Sequence, residues 1–180
     1  MSSYVQILDF WFAEIAPAKW WKKDAEFDQE ICQRFGSIHA RARTCELAHW
    51  RDCADGRLAE VIVLDQFSRN MFRDTAESFD YDPLALALAQ EAVSLGADKE
   101  LSPIQRNFLY MPYMHSESSL VHKAAVELFS NNTESDNLNF ELRHKVIIDR
   151  FGRYPHRNEV LLRQSTKQET AFLQEPGSSF

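Results

Sequence analysis

The stretch DAEFDQEICQRFGSIHARARTC, residues 24–45, decides the fold class. Its apolar positions Phe27, Ile31, Phe35, Ile38, Ala42 and Cys45 step by three and four, the spacing that lays one apolar stripe along an α-helix. Asp24 stands before the run as a capping residue, and Gly36 marks a possible break inside it. Outward in both directions the same grammar recurs, and no segment alternates with the period of two that a half-buried strand requires.

Before this stretch, a helix is expected over about residues 3–14, opened by Ser3 and stopped near Pro17. After it, a third helix is expected over about Arg57–Phe72, entered through Asp55-Gly56. The fourth has Asp82 as cap, Pro83 in the first turn and Gly96 as stop. A capping box, Ser102 to Gln105 with Pro103 at the first position, opens the fifth, and Pro112 predicts a kink or termination near its end. A sixth covers about Ser119–Phe129. A polar stretch, 131–137, separates it from a seventh over about Leu138–Phe151, ended by Gly152. Thr166 to Glu169 is a second capping box for a short last helix. Helix starts near 83 and 119, and near 103 and 138, repeat at about 35 residues, close to helical-repeat spacing. Together these predict one all-α domain over residues 1–180, of about seven or eight helices.

Composition agrees. The 180 residues are 44% hydrophobic, with only 5 Gly and 6 Pro, which excludes a disordered chain. Thirteen Phe, four Trp and five Tyr supply a large core. The net charge of −7 gives no reason to expect nucleic acid as a partner. No apolar run is long enough to span a membrane, and the first residues lack the basic start of a signal peptide, so a cytoplasmic protein is expected. Cys32, Cys45 and Cys53 are odd in number and lack C-x-x-C spacing, which predicts reduced thiols. The indoles of Trp20 and Trp21 are expected to be buried beside solvated Lys22 and Lys23.

Three stretches carry candidate chemistry. In LDQFSRN, residues 64–70, Asp65 and Arg69 continue the helical face of Leu58 and Ile62. A carboxylate there is costly to bury unless it is paired. In the second, Ile104, Phe108, Met111 and His115 form a stripe ending in an imidazole, with Glu117 two residues on as a partner able to set its tautomer. In RFGRYPHRN, residues 150–158, Arg153, His156 and Arg157 gather at a helix end, where arginine forks suit a carboxylate or phosphate. Glu46/His49 and Glu141/His144 match the Glu-x-x-His spacing of dinuclear metal bundles, but the helices are short for that fold and no metal is expected. There is no P-loop, no G-x-G-x-x-G and no G-x-S-x-G, and no cofactor is expected.

With ILDFWF at 7–12, Asp82-Pro83, MHSE at 114–117 and EPGSSF at 175–180, these motifs give the chain a resemblance. It resembles a family of mainly bacterial proteins catalogued as a domain of unknown function, with a tetratricopeptide-repeat-like α-α superhelix. The family motif commonly has Pro where this chain has Ser68. The resemblance implies a fold and supplies no catalytic residue. The leading expectation is a binding or scaffold module whose concave groove takes a small anionic ligand or a peptide carboxylate, lined by Asp65, Arg69, His115, Glu117, Arg153, His156 and Arg157. Two alternatives stand beside it: a metal-independent enzyme using Asp65, His115 and Glu117 as acid–base groups beside an arginine clamp, or motifs that are purely structural ion pairs.

Overall fold

The computed structural model describes residues 3–132 and 137–178. Among them there is no strand, and helices account for most of the chain. Helix α1 (Tyr4–Asp9) is capped by Ser3, whose side chain accepts from the Val5 amide, and it widens into a π turn at Phe10–Glu14. Helix α2 (Ala25–Ala42) is capped by Asp24 through the amides of Glu26 and Phe27 and runs unbroken past Gly36. Helices α3 (Ala54–Ile62) and α4 (Ser68–Met71) are two ends of one rod, joined by a π turn at Val63–Phe67. Then follow α5 (Asp82–Ser94), α6 (Pro103–Met114), α7 (Ser119–Asn131), α8 (Asn137–Phe151) and α9 (Lys167–Phe172). Counting α3–α4 as one rod gives eight among the described residues.

Both capping boxes form as the sequence dictates. The polar stretch at 131–137 falls largely outside the described residues, as do Met1, Ser2 and the last two residues of the chain. Pro112 lies inside the last turn of α6, which ends at Met114. Three expectations are corrected. Cys45 lies beyond the end of α2, exposed and at φ +61°, so the buried stripe stops at Ala42. Trp21 is 63% exposed and stacks on Phe108, which it covers from outside. Asp82 heads α5, but the helix shows no side-chain cap and the carboxylate points elsewhere.

The core is aromatic at its centre. Phe10 meets Phe35 at 4.9 Å between centroids, Phe35 stacks on Phe67 at 5.1 Å, and Trp11 crosses Phe67 and Phe108 at 5.6 Å each. Each ring contributes about 1.5–3 kcal/mol by leaving water. The α3 rod packs against α1, α5 and α6, and α2 lies along α4. Gly56 makes the entry of α3 possible: a Cβ there would lie 2.0 Å from the Trp50 carbonyl oxygen. A second, smaller apolar cluster joins Ile147 and Ile148 of α8 to Tyr154 and Phe172. No helix among the described residues is long and apolar enough to cross a membrane.

The segment after Tyr154 closes on itself through Leu161 N–H to the Arg157 carbonyl (3.0 Å) and Arg163 N–H to the Asn158 carbonyl (2.7 Å). This helix-terminating turn puts Leu162 at φ +53°, with the side chain 94% exposed. A left-handed non-glycine residue costs roughly 1–2 kcal/mol, against about 0.5–1 kcal/mol of extra chain entropy that glycine loses on folding. Leu162→Gly is therefore expected to stabilise the protein by about 0.5–1 kcal/mol in urea unfolding; a lowered midpoint would mean that the side chain has a native partner.

Candidate functional site

The α3–α4 rod brings Asp65 inward, and the end of α6 brings His115 to meet it. Asp65 has a 1% exposed side chain, which water does not reach. Its Oδ1 accepts from His115 Nδ1 at 2.7 Å and lies 3.1 Å from an Arg69 Nη1; Oδ2 accepts from Gln66 Nε2 at 2.6 Å. Burial would raise the Asp65 carboxyl, but Arg69 and His115 outweigh it and hold the group well below the usual carboxylate range. Asp65 is thus a fixed anion at neutral pH.

Arg69 reaches on to α5. Its two terminal nitrogens form a fork on Asp82 at 2.9 and 3.0 Å, and Nη1 also donates to the Asp65 carbonyl at 2.9 Å. Asp82 was expected to cap a helix; its carboxylate is instead shared with Arg157, whose Nη1 lies 3.2 Å away. Arg157 Nη2 donates to the His115 carbonyl at 3.0 Å, satisfying an acceptor that the end of α6 leaves free. The Arg157 guanidinium lies between the rings of Phe79 and Tyr154, 4.5 and 4.7 Å from their centroids.

Of the seven residues picked out in the sequence, the structure gathers Asp65, Arg69, His115 and Arg157 into one cluster. Glu117 does not reach His115. It forms a fork with Arg163 at 2.6 and 3.0 Å and accepts from the Tyr154 amide at 2.7 Å. Arg153 turns away to Glu169, at 2.6 and 2.8 Å, where it holds the Glu169 carboxyl down to about 2. His156 packs against Tyr154 at 5.5 Å between ring centroids, and burial pushes it down to about 4. Sequence reading missed Asp82 as a shared anion and Arg163 as the partner of Glu117. A carboxylate one residue before a helical proline reads as a cap, and a lone arginine in a loop carries no signal.

His115 is a neutral base in this setting. Burial and the Arg69 charge push its pKa down against the pull of Asp65. Its Nδ1–H donates to Asp65, which leaves the lone pair on Nε2, and no hydrogen bond to Nε2 is found among the described residues. The side chain is 16% exposed. Nearby, the buried Arg157 Nε is likewise without a partner among the described residues. Glu141 and His144 do not pair as metal ligands. Glu141 meets His122 at 2.7 Å and His144 Nδ1 donates to the Phe140 carbonyl at 2.7 Å. No group of three or more His, Cys, Asp or Glu side chains among the described residues is placed to hold a metal ion.

Removing Asp65 leaves a half-buried and a buried guanidinium, Arg69 and Arg157, on one carboxylate. Asp65→Ala is therefore expected to cost about 3–5 kcal/mol, read from urea unfolding at pH 7; a cost near zero would show the pair to be idle. A pH effect follows from two other buried imidazoles. Burial pushes His39 down to about 4 and His144 down to about 3. Between pH 6.5 and 4 the unfolded imidazoles bind protons that the folded ones do not. Stability is thus full above about pH 6.5 and falls on acidification by up to about 1.4 kcal/mol per pH unit for each residue. His39→Gln should flatten the pH dependence by one such increment, as measured by unfolding at a series of pH values.

Residues 7–177 match the family described as bacterial protein of unknown function, DUF924. The solved structure of a protein of unknown function from Agrobacterium tumefaciens, ATU0120, aligns with a TM-score of 0.90 at 39% identity, over 95% of this chain and 96% of that one. No curated protein matches the chain. Nearly the whole of the described fold lies within the matched residues, and the chain belongs to this family of bacterial proteins of unknown function.

Proposed function

We propose that the chain binds a small hydroxy acid at the Asp65–His115 pair, with His115 Nε2 accepting from the ligand hydroxyl and the arginines taking its carboxylate. The observation that carries this reading is the unshared Nε2 of an imidazole whose other nitrogen is locked to a buried carboxylate. An aspartate fixed in this way sets the tautomer, so Nε2 is ready to take a hydrogen bond or a proton at neutral pH. Arg69 supports the anion half of the ligand. Its Nη1 is shared among the Asp65 carbonyl, Asp65 Oδ1 and Asp82 Oδ1, its Nη2 donates once to Asp82 and has a second hydrogen, and its side chain is 21% exposed. Acid–base catalysis on such a ligand is the extension of the same geometry, with Asp65 as orienting group; Glu117 has no place in it.

A second reading has its own support. Arg69, Arg153, Arg157 and Arg163 each have a protein carboxylate partner, which favours a cluster that pins the helices and needs no ligand. The two readings separate on one experiment. Diethyl pyrocarbonate acylates neutral, accessible imidazole nitrogens, and mass spectrometry locates the label. His115 is expected to react ahead of the buried His39, His122 and His144, and malate at millimolar concentration to protect it. Succinate, which lacks the hydroxyl, should protect about tenfold less well, the value of roughly one hydrogen bond. Reaction of His115 no faster than the buried histidines, or no protection by either acid, would leave the cluster as a pin.

A further inference from the structure

On the other side of the α3–α4 rod, α2 carries a histidine that the cluster above does not use. His39 is 2% exposed. Its Nε2 lies 2.8 Å from Ser68 Oγ, and Ser68 gives its own hydroxyl hydrogen to the Leu64 carbonyl at 2.7 Å. The serine oxygen is therefore an acceptor, the hydrogen between them belongs to Nε2, and Nδ1 holds a lone pair. Burial, and then Arg43, keeps the ring neutral. No hydrogen bond to Nδ1 is found among the described residues. The rings of Phe72 and Tyr81 stand edge-on to the imidazole at 5.3 and 5.2 Å and hold its orientation.

His39 lines a pocket of about 300 Å³ between α2 and the chain around Met71 and Phe72. That size is at the low end of small-molecule sites. Gly36, one turn before His39, forms part of its wall. A glycine in the middle of a helix is disfavoured relative to alanine, and the usual compensation is a close approach of another chain. Here a Cβ at Gly36 would meet nothing within 4 Å. The missing side chain therefore leaves open space in place of a tight contact. The remaining walls are soft and apolar, from Cys32, Met71 and Phe72, and burial pushes the Cys32 thiol up, so it stays protonated. The charged rim is committed elsewhere: Arg43 donates to the Tyr81 hydroxyl at 3.2 Å and faces Glu77 at 3.9 Å.

An imidazole acceptor in the wall of a small, mainly apolar space calls for an uncharged ligand with one donor. We propose that this pocket binds a small aromatic alcohol of the size of phenol, its ring in the space beside Gly36 and its hydroxyl donating to His39 Nδ1.

The experiment is a titration of the full chain, labelled with ¹⁵N in backbone and histidine, by phenol and by anisole, followed by NMR. Phenol is expected to give saturable shifts at α2 and α4 at millimolar concentration and to move the His39 Nδ1 resonance. Anisole keeps the ring but has no donor, and it should bind about tenfold more weakly, a factor equal to one ordinary hydrogen bond. Gly36→Leu fills the space and favours the helix, so its melting temperature should hold or rise while phenol binding is lost. Absent saturable shifts, equal affinity for anisole, or phenol binding that survives in a folded Gly36→Leu would each overturn the assignment. Should Gly36→Leu fail to fold, the phenol–anisole ratio and the Nδ1 resonance of the unmodified chain decide.

Discussion

The architecture depends on a charge that water does not reach. Asp65 is ionised in the middle of a helical protein, and that is tolerable only because His115, Gln66 and Arg69 converge on its two oxygens. Arg69 then needs Asp82, and Asp82 is shared with Arg157. Each pairing obliges another segment to be present: the α3–α4 rod, the start of α5, the end of α6 and the turn after Tyr154. A buried ionic network is weak evidence of added stability, but it is demanding about arrangement, because any one partner missing leaves a charge uncompensated. The aromatic core gathers the helices, and the ionic network specifies which of their ends must meet.

Most of the fold was legible in the sequence because its signals are local. The stripe Phe27, Ile31, Phe35, Ile38 and Ala42 reads directly as one buried face, and every member is buried. Both capping boxes involve residues three apart and form wherever a helix begins. What the sequence hid depends on distant partners. Asp82 reads as a helix cap until Arg69, thirteen residues earlier, and Arg157, seventy-five residues later, compete for it. Glu117 reads as the neighbour of His115 until Arg163 claims it. Pro112 marks the last turn of α6, which ends at Met114, and the proline itself is buried. The candidate site was half legible: Asp65 and Arg69 announce a paired buried charge, whereas its contact with His115 spans fifty residues and has no local signature.

The two sites argued above lie back to back on one rod. Ser68 faces His39 and α2, while Arg69, the next residue, faces Asp82 and α5. Successive helical residues point about 100° apart, so a four-residue helix is enough to serve two different neighbours. The chemistry on the two sides also differs. One side is a neutral acceptor in an apolar pocket, and the other is a lattice of full charges.

The π turn at Val63–Phe67 has a consequence for how this protein can change over generations. A π turn holds one residue more than an α turn, and it takes up that residue without changing the directions in which the two halves of the rod face. Loss of a single residue from this turn would let it close to α geometry, with Ser68 still directed to His39 and Arg69 to Asp82. Loss of a residue from Ala54–Ile62, which has no such slack, would rotate the rest of the rod by about 100° and remove both contacts in the same event. A change of length is open to the π turn and closed to the α segment before it.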